Sequence, residues 1–159
     1  MTTAGVTAQA NREIFTYRDF LYVHSTDNMT DEDMSFVTPA TDNPVFGIAW
    51  GCRKYEERED HLTIVLRLNA SYTGPANEIR MSYRIDSNPA VTDYEFYWQI
   101  NSERPLSIYT LMSGVFTSRA KEGARMALRI FVGEETIDMA FSLMGLTEAL
   151  SHLQCVDTD

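Results

Sequence analysis

Ile79-Arg80-Met81-Ser82-Tyr83-Arg84-Ile85 is the stretch on which the fold turns. Four apolar residues alternate with three polar ones, the period-two pattern of a strand with one face buried and one wet. The same alternation runs through Leu62, Ile64, Leu66 and Leu68. The charged stretch 56–60 before them reads as a connection from a strand around 45–52, so these two strands are expected to pair as a hairpin. Downstream, Tyr94, Phe96, Trp98 and Ile100 alternate again. Asp86-Ser87-Asn88-Pro89 suits a turn between them and the first stretch, which predicts an antiparallel meander. An earlier strand is expected at 20–24.

The period changes after residue 105. Ile108, Leu111, Met112, Val115 and Phe116 fall at i, i+3, i+4, i+7 and i+8, which predicts a helix over about 106–121. Pro105 stands near its start, Arg119 and Lys121 oppose the negative end of its dipole, and Gly123 is available as a stop. Two more alternating runs follow: Met126, Leu128, Ile130 and Val132, then Ile137, Met139, Phe141 and Leu143. The loop Gly133-Glu134-Glu135 makes them a second hairpin. Leu146, Ala149, Leu150 and Leu153 return to helical spacing and predict a short helix over about 145–154. The expected fold class is therefore α+β and β-rich: an antiparallel sheet or β-sandwich-like meander of about six to eight strands with two amphipathic helices. The 159 residues, 44% hydrophobic, suit one globular domain over 16–159 behind a flexible N-terminal segment, 1–15.

Charge narrows the partners. Acidic residues outnumber basic ones 23 to 13, net −10, which disfavours general nucleic-acid or anionic-membrane binding because phosphate contacts need clustered Lys and Arg. This balance either does no more than keep the protein in solution or fits another protein, basic in charge, as the partner. No run of about 18 apolar residues occurs, so no membrane-spanning helix is expected. Residues 1–11 have neither a cationic start nor an apolar run, although Ala8-Gln9-Ala10 has the A-x-A form of a signal-peptidase site. The expected location is periplasmic or secreted if a signal segment precedes this sequence, and cytoplasmic otherwise.

Motifs for chemistry are sparse. Asp27 to Asp33 is rich in oxygen ligands, but the sixth and twelfth positions counted from Asp27 are Glu32 and Thr38, where a calcium-binding EF-hand requires Gly and Glu. A solvated polar loop, or a Thr30 or Asp31 turn cap, is expected instead. His24, His61 and His152 lack metal-site spacing, and there is no G-x-S-x-G, phosphate-binding loop or dinucleotide fingerprint. Ser113-Gly114 falls inside the predicted helix, and His24-Ser25 would face opposite sides of a strand. Neither Glu134-Glu135 nor any other carboxylate pair is assigned a role. No catalytic, metal or cofactor site is expected. The candidate binding face is Glu95, Tyr97 and Gln99, a polar-aromatic outer face opposite Phe96 and Trp98. Asn28-Met29-Thr30 and Asn69-Ala70-Ser71 match the glycosylation acceptor pattern, which has meaning only in a glycosylating host. Cys52 and Cys155 are either one bridge, closing a long loop, or two unrelated buried thiols.

From Thr26 to Cys155 the order of features resembles the bacterial periplasmic accessory proteins of type VI secretion, the VasI/TagO-like group. The residues are the acidic turn Met29-Thr30-Asp31-Glu32-Asp33, a strand carrying Cys52, the strand end Tyr83-Arg84-Ile85-Asp86, and a helix before a hairpin. The most specific part is the ending 141–155, with Gly145, Leu146, Ala149, Leu150, Leu153 and Cys155 in place. The resemblance implies a β-sandwich-like domain closed by a Cys52–Cys155 bridge and carries over no catalytic residue. It favours a non-enzymatic, protein-binding envelope accessory domain. Two alternatives stand beside it: a soluble acidic phage-type inhibitor that occupies a basic or nucleic-acid-binding surface, and an enzyme with an unrecognised carboxylate site.

Overall fold

The computed structural model describes residues 12–41, 47–53, 61–70, 72–75, 78–92, 98–101, 106–110 and 114–155. These form ten strands and two helices: β1 Arg12–Tyr17, β2 Phe20–Ser25, β3 Phe36–Pro39, β4 Gly47–Arg53, β5 His61–Leu68, β6 Arg80–Ile85, β7 Trp98–Asn101, β8 Leu106–Thr110, α1 Gly114–Glu122, β9 Arg125–Val132, β10 Glu135–Ser142 and α2 Leu146–Leu150. All neighbouring strands are antiparallel and they make two sheets, one of seven strands in the order β1-β2-β3-β4-β5-β8-β7 and one of three in the order β10-β9-β6. The fold is β-rich α+β with a β-sandwich-like arrangement.

Alternation sets which side of each sheet is inside. In the small sheet Met81, Tyr83 and Ile85 of β6 and Met126, Leu128, Ile130 and Val132 of β9 are buried. In the large sheet Phe20, Tyr22, Val37, Ile48, Trp50, Ile64, Leu66 and Ile108 are buried along the facing rows. Phe20 of the large sheet meets Phe141 of the small one edge-on at 6.5 Å, which closes one side of the core. On the other side α1 is wedged in: the ring of Phe116 stacks on Trp50 at 6.5 Å and meets Tyr83 edge-on at 4.9 Å. The indole N–H of Trp50 donates to Thr117 Oγ1 at 3.1 Å, so its polar atom is satisfied inside the core. Leu146, Ala149 and Leu150 of α2, with Leu153 beyond it, complete the apolar cluster. There the last turns run back past β4, where Cys52 and Cys155 form a disulfide with 5.8 Å between their Cα atoms. Of the two readings the cysteines left open, the structure has the bridge.

Three expectations are corrected. The helix expected over 106–121 begins at Gly114, and Leu106–Thr110 is a strand. Ile108 sits opposite Leu66 in the sheet with both fully buried, while Val115, which the helical stripe would have buried, is 51% exposed. A run whose apolar residues fit both periods was settled by the empty edge of β5. Second, the strand at 79–85 does not form a meander with the one near residue 98. β6 pairs with β9, and β7 pairs with β8 in the other sheet. The Asp86 turn forms, but Asp86 takes a positive φ and its carboxylate accepts the backbone N–H groups of Ala124 and Arg125, fastening the end of β6 to the start of β9. Among the described residues that follow the turn, Val91 bridges back to Tyr83. Third, residues 12–15, assigned to the flexible segment, are part of β1 and pair with β2. Residues 1–11 lie outside the described part.

Gly145 holds α2 against the β1–β2 turn. Its φ is +95°, and a Cβ there would run into the backbone carbonyl of Tyr17 and stand 3.1 Å from the Arg18 Cβ. Neither neighbour is a flexible side-chain tip, so the chain has no cheap adjustment. Gly145→Ala is expected to cost at least about 1–3 kcal/mol from the strained backbone conformation alone. Thermal unfolding reads this as a Tm lower by roughly 2–4 °C per kcal/mol; an unchanged Tm would contradict the packing described.

Candidate binding face

The outer side of the three-stranded sheet follows from the same alternation that fills the core. With Met126, Leu128, Ile130 and Val132 turned inward, β9 presents Arg125, Ala127, Arg129 and Phe131 outward. Register then sets three rows across the sheet: Arg80, Phe131 and Thr136; Ser82, Arg129 and Asp138; Arg84, Ala127 and Ala140. The two alanines are short, and between the longer side chains they leave a groove of about 680 Å³ that Ala90 and Thr92 help to line. Phe131 stands at one end, 38% exposed. An aromatic ring left partly in water beside a depression is the kind of anchor that interfaces favour.

Charge on this face is ordered. The guanidinium of Arg129 donates from Nε to Asp138 Oδ1 at 2.8 Å and from Nη2 to Oδ2 at 3.0 Å, a two-pronged fit on neighbouring strands. That hydrogen bonding holds the Asp138 carboxyl below the usual carboxylate range and raises the Arg129 guanidinium further. Both side chains are more than half exposed, so the pair orders the face and adds little stability. Arg84 donates from Nε to the Asn88 carbonyl at 3.0 Å, which holds it along the turn that follows β6.

A second cluster lies where β1, β2 and the end of the chain converge. The His152 ring stacks on Tyr17 at 4.8 Å and lies 5.3 Å from Tyr22. His24 Nδ1 is 3.1 Å from Ser35 Oγ and 3.3 Å from the Tyr22 hydroxyl. This is a serine beside a histidine, but its geometry links structure. Ser35 is buried, its Oγ also accepts the Ser25 N–H, and the nearby Asp33 carboxylate accepts the Ser35 N–H instead of orienting the imidazole. The group ties the β2–β3 loop back onto β2. In that loop Asp27 caps the turn, accepting the N–H groups of Met29 at 2.7 Å and Thr30 at 3.0 Å, which lower its carboxyl from the ordinary range. Of the two caps expected from sequence, Thr30 also forms one, its Oγ1 accepting the Glu32 N–H at 3.3 Å, and Asp27 adds the cap that the sequence reading did not name.

Of the face expected from sequence, Glu95 and Tyr97 lie outside the described residues. Gln99 is in β7, opposite Tyr109 of β8, at an edge of the large sheet. Among the described residues no group of three or more His, Cys, Asp or Glu comes together to hold a metal ion. No described helix is long and apolar enough to cross a membrane. The arginine face was half visible in the sequence, because Arg80, Ser82 and Arg84 were read as the wet side of their strand. What the sequence lacked was the pairing of β6 with β9.

No protein-family model matches this chain, and no curated protein matches it. Among solved structures it is similar to the crystal structure of invasion associated protein B from Bartonella henselae, with a TM-score of 0.43 and 12% identity over 87% of this chain and 94% of that one.

Proposed function

We propose that this chain is a non-enzymatic protein-binding domain of an oxidising compartment, periplasmic or secreted, and that it receives its partner on the outer face of the three-stranded sheet. The observation that carries the reading is the groove over Ala127 and Ala140 with the exposed Phe131 beside it. A rigid sheet face with an apolar depression and a charged border matches the anatomy of protein interfaces, in which an anchor side chain sits within a polar rim. The disulfide supports the compartment, since such bonds persist where thiols are not kept reduced. An accessory role in the envelope, as the resemblance to type VI secretion accessory proteins implies, is one form such a domain takes. The cytoplasmic inhibitor alternative predicts reduced thiols, and the Cys52–Cys155 bond weighs against it.

Site-directed photo-cross-linking tests the reading. A photoreactive phenylalanine analogue at position 131 of the oxidised chain is expected to trap a partner protein that the same analogue at exposed Glu148 does not. The partner, purified and reconstituted, should then bind about tenfold or more weakly to Phe131→Asp and to Ala140→Arg, which fills the groove. Undiminished binding to both variants would overturn the assignment of the face.

A further inference from the structure

The face proposed above is richer in arginine than the chain as a whole. Its outward strand positions carry four arginines, Arg80, Arg84, Arg125 and Arg129, and one carboxylate, Asp138, with Asp86 and Asp19 beside the Arg125 end, where they accept the Arg125 N–H and the Ser142 hydroxyl. The rest of the sequence holds nine basic residues against 22 acidic ones. Alternation explains why these positions are polar. It does not require them to be cationic, and in so acidic a chain four arginines collected on two adjacent strands are a local concentration of cations.

Resting on the reading that this face docks a protein, we propose that the segment it takes is acidic: a stretch of the partner carrying glutamate or aspartate side chains around an apolar anchor that seats beside Phe131. The Arg129–Asp138 pair supplies the pattern, because it already holds a carboxylate on this face through two parallel hydrogen bonds. All four cations are arginines, whose planar fork matches a carboxylate where a lysine would act as a point charge. Arg80 and Arg84 are four residues apart on β6, as are Arg125 and Arg129 on β9, a spacing of about 13 Å along each strand. Two alternate side chains of an extended segment span half that distance and three span all of it, so one short acidic stretch can meet the arginines of both strands. The alanines and Phe131 between them give an apolar side chain a place to lie. Phosphate polymers and anionic membranes also attract arginine, but a chain of net −10 repels an extended polyanion over distances at which a few carboxylates on a partner feel only the local face.

The test uses the full oxidised chain and a fluorescent peptide alternating glutamate with leucine and phenylalanine, with two control peptides in which glutamine or lysine replaces glutamate. The glutamate peptide is expected to bind at least tenfold more tightly than either control, and the more weakly as salt rises. Arg84→Glu and Arg125→Glu should each reduce its affinity severalfold, with circular dichroism confirming an intact fold. Asp138→Asn should act in the opposite direction and strengthen binding severalfold, because it releases the Arg129 fork for the ligand; a merely damaged surface would not gain affinity. Equal binding of the glutamate and glutamine peptides, or no gain in Asp138→Asn, overturns the proposal. So does arginine-dependent binding of a single-stranded oligonucleotide or of vesicles containing phosphatidylglycerol in place of the peptide. If the partner trapped at Phe131 binds Arg84→Glu and Arg125→Glu unchanged, the docking face stands and its acidic specificity fails; if nothing is trapped there and no peptide binds, both fail.

Discussion

Replacing Cys52 and Cys155 together by alanine is expected to cost roughly 4–5 kcal/mol of stability. The bond joins residues 103 apart, and in the chain-entropy treatment a closed loop of that size removes about this much freedom from the unfolded chain. The folded state should change little, because α2 and Leu153 are packed into the core by their own apolar side chains. The effect therefore lies in the denatured ensemble. A domain of this size has a total stability of about 5–15 kcal/mol, so the variant would stand near the margin of folding. Urea unfolding of the oxidised wild type and of the double variant measures the difference directly, and wild type treated with reductant should fall to nearly the same midpoint. A loss below about 1 kcal/mol would show that the terminal segment is held by packing alone and that the bond adds nothing. The result also bears on location, since a fold that leans this heavily on a disulfide is poorly suited to a reducing compartment.

The sequence was legible wherever alternation coincided with burial. β4, β5, β6, β9 and β10 appear as expected, as do both expected hairpins, because each has one face in the core and one in water. β1 gave no such signal: Arg12–Tyr17 is an edge strand exposed along nearly its whole length, so nothing selected an alternating pattern there. β3 is four residues ending at Pro39, too short to display a period. β8 was misread as helix because its apolar residues satisfy both spacings, and only the presence of β5 beside it decides between them. The division into two sheets was hidden for a related reason. It rests on β6 pairing with β9 instead of with a strand nearer in sequence, and the Asp86 contact to Ala124 and Arg125 that fastens the two lies across 38 and 39 residues, which no local pattern announces.

The candidate site shows the same limit in terms of charge. Net charge pointed to a basic partner, an inference sound for the chain as an average. Arg80 and Arg84 lie on one strand and Arg125 and Arg129 on another, and the register of β6 with β9 gathers all four on one face. His152 likewise reads as an isolated histidine until the turn after α2 lays it against Tyr17 and Tyr22. Composition describes the whole surface, whereas recognition depends on which part of it a partner meets.

Phe116→Ala is expected to destabilise the protein by about 3–5 kcal/mol, the range for removing a fully buried aromatic ring from a close-packed interior. The position is more exacting than burial alone implies. Phe116 is the side chain of α1 that touches both layers, through Trp50 of the large sheet and Tyr83 of the small one. Those neighbours are held by further contacts, Trp50 by Phe20 of the sheet and by its hydrogen bond to Thr117 of α1, and Tyr83 by the Arg119 guanidinium of α1, which donates to its hydroxyl at 3.0 Å. They cannot easily collapse into the space, so the cavity should remain, and the cost should lie toward the upper end of the range. Phe116→Leu keeps much of the volume and should cost clearly less. Denaturant unfolding of the two variants separates these cases, and the Trp50 fluorescence should change with the alanine variant, since the indole loses the ring stacked against it. Equal, small losses for both would mean that the two layers close without α1 between them, and that the helix lies over the core instead of forming part of it.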